Sequence, residues 1–405
     1  VRSFRPDHFI VAALLVTAVS ASAQTPAPAT TAPAAAAGSA TQAGKPADST
    51  AKAALAADSL PNFFRDIQAN FFASSGYTSN LNHAAGGTNG LRVFDSPANT
   101  FGVDVAELVL QKSVSKIGDA GFRVDLEAGS TIPAKTQAVG LSIGSGADLQ
   151  QAFFSYIAPV GPGLRLDLGK FVTHLGLEVI EGYDGYNDNY SRSLLFNYAI
   201  PLTHTGIKGS YTFNSVASAM VMVVNGWDNA VDNNSSKSIG AQLALTPVSA
   251  VSVYLNYMGG PEKADTNGYV RQIFDVAGTW KVTDAFTLGV NADYGSEDKA
   301  SLVKPGDNAV WSGVAGYGRL AINDRVSFAL RGETFKDEGG TRLGTTASTT
   351  VNEITFTPAY KFNRNFLVRA EGRYDTVNQD GFFTNDKGTA KRSQATICLN
   401  AIFVF

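Results

Sequence analysis

The sequence predicts an all-β protein: a transmembrane antiparallel up-and-down β-barrel of about 16 strands, with short periplasmic turns and long external loops. Three observations lead there. Apolar and polar residues alternate with period two over most of the chain, tight and long connections take turns along it, and after the first twenty-odd residues no apolar run reaches helix-spanning length.

The alternation is plain where Phe122, Val124, Leu126 and Ala128 interleave with Arg123, Asp125 and Glu127. It recurs where Val326, Phe328 and Leu330 face away from Arg331 and Glu333, and where Val368, Ala370 and Tyr374 face away from Arg369, Glu371, Arg373 and Asp375. One face of each segment is oily and the other charged, the signature of a strand between two different media. Strands are expected near 67–79, 101–114, 119–130, 148–158, 163–172, 203–213, 216–226 and 237–246. Eight more are expected near 250–259, 269–282, 285–295, 309–322, 325–336, 350–362, 365–376 and 393–405. Every second connection is tight: 115–118, 160–162, Asn214-Ser215, 247–249, Thr283-Asp284, Asn323-Asp324 and Asn363-Arg364. A soluble sandwich also alternates, but so many long strands in one domain are unusual there, and in hydrocarbon an open sheet edge is not tolerated. The phase is ambiguous around Glu107, Lys170 and Met220 to Met222, where bulges would reconcile it.

The chain divides into three parts. Arg2 and Arg5 precede an apolar run over 9–19 and then Ala21-Ser22-Ala23, so 1–23 reads as a signal peptide for export to the periplasm. Residues 24–60 are rich in Ala, Pro and Thr and read as a disordered linker, and 61–405 as the barrel. A net charge of -3 gives no basic field for nucleic acid, which is not an expected partner. The one cysteine, Cys398, has no internal disulfide partner.

Motifs suggesting other chemistry lack their context. Gly140-Leu141-Ser142-Ile143-Gly144 has the spacing of a hydrolase elbow, but no helix follows, and no catalytic residues are expected. Gly316-x-Gly318-x-x-Ala321 continues as a strand rather than opening a dinucleotide-binding helix, and no cofactor is expected. His174, Glu178, Glu181, Asp184 and Asp188 offer oxygen donors without any calcium-loop spacing, so a solvated acidic loop is favoured over a metal site.

The last strand carries Ile397, Leu399, Ala401, Phe403 and a terminal Phe405 on one face, which resembles the terminal signal of outer-membrane barrels. The middle of the chain resembles the OmpL-like family of β-barrel porins (type 2) in Gly169-Lys170-Phe171, Thr173, Gly176 and Glu178. The likeness continues through Asn189-Tyr190-Ser191-Arg192-Ser193, Pro201, His204, Gly206 and Asn225-Gly226-Trp227-Asp228. That resemblance implies a porin of the Gram-negative cell outer membrane, surrounded by its lipid and read by the barrel-assembly machinery through the strand ending at Phe405.

Within such a barrel, the loop from about 175 to 200 carries the expected constriction: Glu178, Glu181, Asp184, Asp188 and Arg192. A sixteen-strand barrel leaves an aqueous channel, so something must narrow it to select by size and charge. The loop carboxylates are expected to face wall arginines drawn from Arg123, Arg165, Arg319, Arg331, Arg369 and Arg373, with Glu333 and Glu371 completing a wall of both signs. The expected function is passive diffusion of small hydrophilic solutes or ions without strong ion selectivity. The alternatives are a plugged barrel with a structural role and a barrel hydrolase; a homotrimer is left open.

Overall fold

The structure, a computed structural model, describes residues 66–130, 132, 142–144 and 146–405. The expected signal peptide and linker lie outside the described residues, as do Gly140 and Leu141. The elements in order are β1 (Gln68–Asn80), β2 (Thr100–Lys112), β3 (Ala120–Ala128), β4 (Ser142–Gly144), β5 (Ala147–Ala158), β6 (Leu164–Val172), β7 (Thr203–Thr212), β8 (Ala217–Val224), β9 (Ser238–Val248) and β10 (Val251–Pro261). They continue with β11 (Val270–Lys281), β12 (Phe286–Glu297), β13 (Ala309–Ala321), β14 (Val326–Asp337), β15 (Thr349–Lys361), β16 (Phe366–Val377), β17 (Phe383–Thr384), β18 (Ala390–Lys391) and β19 (Ser393–Val404).

Sixteen of these form the wall of a closed antiparallel barrel. Consecutive wall strands pair, and β19 pairs with β1 from Phe72↔Val404 to Asn80↔Thr396, so no edge is left unpaired. Two short features were not expected. β4 adds three residues alongside β5, and β17 and β18 form a small hairpin in the last long loop. Ser142 therefore lies in a strand segment rather than at a strand-to-helix elbow.

The wall is inside out relative to a soluble domain. On β14, Leu330 is 50% exposed while its neighbour Arg331 is 0% exposed. A chain folded for water hides the leucine and shows the arginine; the reverse fits lipid outside and a polar lumen inside. Trp280, Tyr294, Tyr360, Phe362 and Tyr374 also point outward. The tight turns are held by short polar side chains that accept the next backbone N–H groups. Asn214 Oδ1 takes those of Val216 and Ala217, and Asn323 Oδ1 those of Arg325 and Val326. At the first such turn Asp119 accepts from Ser115 and Lys116, which holds its carboxyl below the usual range.

Phase is corrected at one uncertain point and left undisturbed at the others. Ser74 pairs with Val105 and Ser75 with Val103, so Asp104 is the extra residue that turns Glu107 into the lumen. No register shift occurs at Lys170 or at Met220 to Met222. Met220 and Met222 simply face inward, and Lys170 is buried 3.2 Å from Asp148.

The lipid face sets the first test. Leu399, opposite Tyr77 and Ala370, is 57% exposed near the middle of β19. Leu399→Arg should cost about 2–4 kcal/mol of folding stability in lipid vesicles, read by urea titration. Unchanged stability would place that face away from hydrocarbon.

Candidate functional site

The third long connection, residues 173–202, leaves β6 and folds into the barrel rather than over its rim. Its stem is closed by Thr173 N donating to Leu202 O at 2.9 Å. The descending limb is pinned to the wall by Gly176 N to Asp275 at 3.2 Å and Leu177 N to Asn291 at 3.1 Å. At the tip, Tyr183 N donates to Glu107 at 2.6 Å. The loop thus reaches β11 and β12 on one side and β2 on the other, across the lumen.

Four expected carboxylates each meet a different expected arginine. Glu178 lies 2.7 Å from Arg331, Glu181 2.7 Å from Arg369, Asp184 2.8 Å from Arg123 and Asp188 3.0 Å from Arg319. The first two pairs are buried, while the Asp184 and Asp188 side chains keep 61% and 50% exposure. That burial removes Glu178 and Glu181 from the expected solvated loop, while Asp184 and Asp188 keep contact with solvent. Because the carboxylates diverge to separate arginines, they do not converge with His174 on one cation. His174 instead packs beside Tyr257 O, and burial pushes its imidazole down to about 3, leaving it neutral.

Arg192 turns back on the loop, with Tyr190 O at 2.6 Å and Glu181 at 3.6 Å. Arg373 also takes a different part from that expected: it pairs with Asp375 and donates to Arg192 O at 2.6 Å. Arg165 is not part of the assembly; it pairs with Asp167 on its own strand at 2.9 Å. Glu333 and Glu371 serve as acceptors for backbone. Glu371 takes the N–H groups of Tyr190 and Ser191, and Glu333 those of Leu194 at 2.6 Å and Leu195 at 3.2 Å.

Those last two N–H groups open a single π-helical turn, Leu195–Ala199. Its other end is closed by Arg342 Nε to Tyr198 O at 2.7 Å and Trp311 Nε1 to Ala199 O at 3.0 Å. A carboxyl group at the start and a guanidinium at the end occupy backbone groups that a buried helix end leaves orphaned. Around it, Leu194, Leu195, Phe196, Ile200 and Leu202 pack against the inward Met222, Met258, Ile273, Trp311, Phe335 and Val351. These wall residues stand toward the external ends of their strands. The outer half of the lumen therefore holds an apolar core around this turn, interrupted by buried ion pairs, and the pairs of Glu181, Asp184 and Asp188 lie nearer the tight turns.

One participant escapes a reading by period. Arg92, from the first long loop, reaches Asp375 at 2.8 Å with both side chains fully buried, and Glu353 holds Arg331 from the wall at 2.7 Å. Arg92 sits in an aperiodic segment with no signal of its role, whereas Glu353 and Asp375 lie on the charged faces that the alternation predicts for their strands.

The family described as Putative beta-barrel porin-2, OmpL-like, matches residues 66–405. The chain belongs to this porin family. No curated protein is similar to it in sequence. Among solved structures, the anion-selective porin from Comamonas acidovorans is 11% identical, with TM-score 0.57 over 84% of this chain and 99% of that one. The outer membrane channel DcaP of Acinetobacter baumannii is 12% identical, with TM-score 0.57 over 84% and 97%. The trimer form of OmpT from Vibrio cholerae is 12% identical, with TM-score 0.53 over 84% and 99%. At such identity the likeness is one of fold. The fold and family together make this chain an outer-membrane porin.

In this porin Arg331 is the most committed ion. It is held by Glu178 and Glu353 and donates to Ser191 O at 2.7 Å. Arg331→Met should therefore cost about 3–5 kcal/mol, because it strands buried carboxylates. Loss of heat-resistant migration at a markedly lower temperature than wild type would be the readout, and an unchanged transition would contradict the assigned pairing.

Proposed function

We propose that this porin passes small hydrophilic solutes by passive diffusion, without catalysis, through a lumen that loop 173–202 narrows. Glu178, Glu181, Asp184, Asp188 and Arg192 act as the constriction, with Arg123, Arg319, Arg331 and Arg369 as the opposing wall. The observation that carries this reading is the set of four loop-to-wall ion pairs, which fixes polar groups of both signs across the barrel. Water and such groups offer a hydrated solute what hydrocarbon denies it. The exposed members Asp184, Asp188 and Arg319 form the rim a solute meets from the side of the tight turns.

Export by the signal peptide, recognition of the strand ending at Phe405 by the assembly machinery, and association of three barrels complete the proposal. The trimer form of OmpT supports the last of these.

A second reading, a barrel with a filled lumen and a structural role, is favoured by one observation: Phe171, Met222, Ile273, Trp311 and Phe335, all lumen-facing, are at most 2% exposed. Planar-bilayer recording of wild type beside a deletion of 178–192 separates the two. Small wild-type steps that grow on deletion are expected. Silence in wild type would reject the porin mechanism and leave the structural role.

A further inference from the structure

Beside the π-helical turn lies a group that the loop-to-wall ion pairs do not neutralise. Arg342, in the loop 338–348, has its guanidinium 5.1 Å from the ring of Trp227 and 5.1 Å from that of Trp311, so two indoles hold it in place. Its Nε is spent on Tyr198 O at 2.7 Å. Among the described residues no carboxylate pairs with it, and its two Nη groups donate to no acceptor, although the residue is partly open to solvent. Arg271 lies 5.3 Å from the Trp227 ring and is already matched by Glu297 at 2.9 and 3.0 Å. Trp227 adds a further donor, since its Nε1 is buried without a partner.

The nearby acids Asp228, Glu297 and Asp337 favour the charge of Arg342 from a distance but form no ion pair with it among the described residues. Asp228 accepts from Leu202 N and Thr203 N, and one oxygen of Asp337 accepts from the backbone of Arg342 and Leu343. Burial and the Arg271 charge push the Arg342 guanidinium down to about 10, so it is cationic at neutral pH but poorly compensated. A rigid guanidinium edge whose Nη groups meet no protein acceptor among the described residues is complementary to an acceptor bearing negative charge. The Nη1/Nη2 edge offers two parallel N–H bonds, the geometry that a planar carboxylate accepts in bidentate fashion.

We propose that Arg342, seated against the edge-on pair Trp227 and Trp311, is a capture site for solutes bearing a carboxylate at the outer end of the lumen. The inference deepens the channel reading by naming a solute class, and it rests on that reading only for its transport role. The site binds a carboxylate whether or not the barrel conducts.

Tryptophan emission tests it without requiring conductance. The chain has three tryptophans, and Trp280 faces lipid, so Trp280→Phe leaves the two beside Arg342 as reporters. In that background, sodium succinate added at constant ionic strength against sodium chloride should change the emission saturably. Arg342→Gln, and Arg342→Lys, which keeps the charge but not the fork, should each weaken the response at least about tenfold. Lys387→Gln, on the exposed hairpin loop, should leave it unchanged, and heat-modifiable migration confirms that each variant is folded. Equal titrations for wild type and Arg342→Gln, or a response that chloride reproduces, would overturn the proposal. Should Arg342→Gln not fold, Arg342→Lys alone decides it. In bilayers the same succinate should reduce the current through wild type more than through Arg342→Lys. A silent barrel that still binds succinate would reject the transport reading and leave the site intact.

Discussion

Arg331 is fully buried between a carboxylate of the loop and a carboxylate of the wall, and the arrangement of the lumen depends on that contact. A guanidinium taken out of water costs several kcal/mol unless its charge and N–H groups are met, and here Glu178, Glu353 and Ser191 O meet them. Neither partner can leave without stranding the other. The loop is therefore held in the barrel by the cost of letting go more than by any net gain from pairing. The same logic repeats at Arg369 with Glu181, and the half-exposed pairs of Asp184 and Asp188 add geometry more than energy.

Glycine makes the close approach possible at two points. A side chain on Gly182 would meet the Glu107 carboxylate at 2.6 Å, where the tip of the loop docks. A side chain on Gly295 would meet the Trp311 ring at 2.2 Å, and that ring is what closes the π-helical turn. Small residues on facing strands thus make room for one large aromatic, which in turn fixes the loop and helps to seat Arg342. The apolar core and the ion pairs of the lumen are joined through Trp311 and the backbone of residues 190–195.

The wall was legible in the sequence because a strand between lipid and a polar lumen has two unlike faces, and Leu330 beside Arg331 says so directly. The turns were legible because Asn214, Asn323 and Asp119 each carry a side chain that closes a tight connection. The loop carboxylates and their arginines could be nominated from composition and length. The pairing of Glu178 with Arg331 rather than with Arg369 could not, since it depends on where a non-repeating segment crosses the barrel. The partners of Glu333 and Glu371 are not legible for a related reason: they are backbone N–H groups, which every residue carries and no sequence distinguishes. The apolar lining at Met222, Ile273 and Trp311 was hidden because an inward apolar residue looks out of phase until its partner in the loop is known.

The most direct measurement of this arrangement is hydrogen–deuterium exchange of the folded barrel, read over residues 190–195. If their N–H groups are held by Glu371, Glu178 and Glu333, they should exchange as slowly as the wall strands β14 to β16. Exchange as fast as that of the outer hairpin loop at 385–389 would show that the loop is not seated in the lumen, and the loop-to-wall pairing would be wrong.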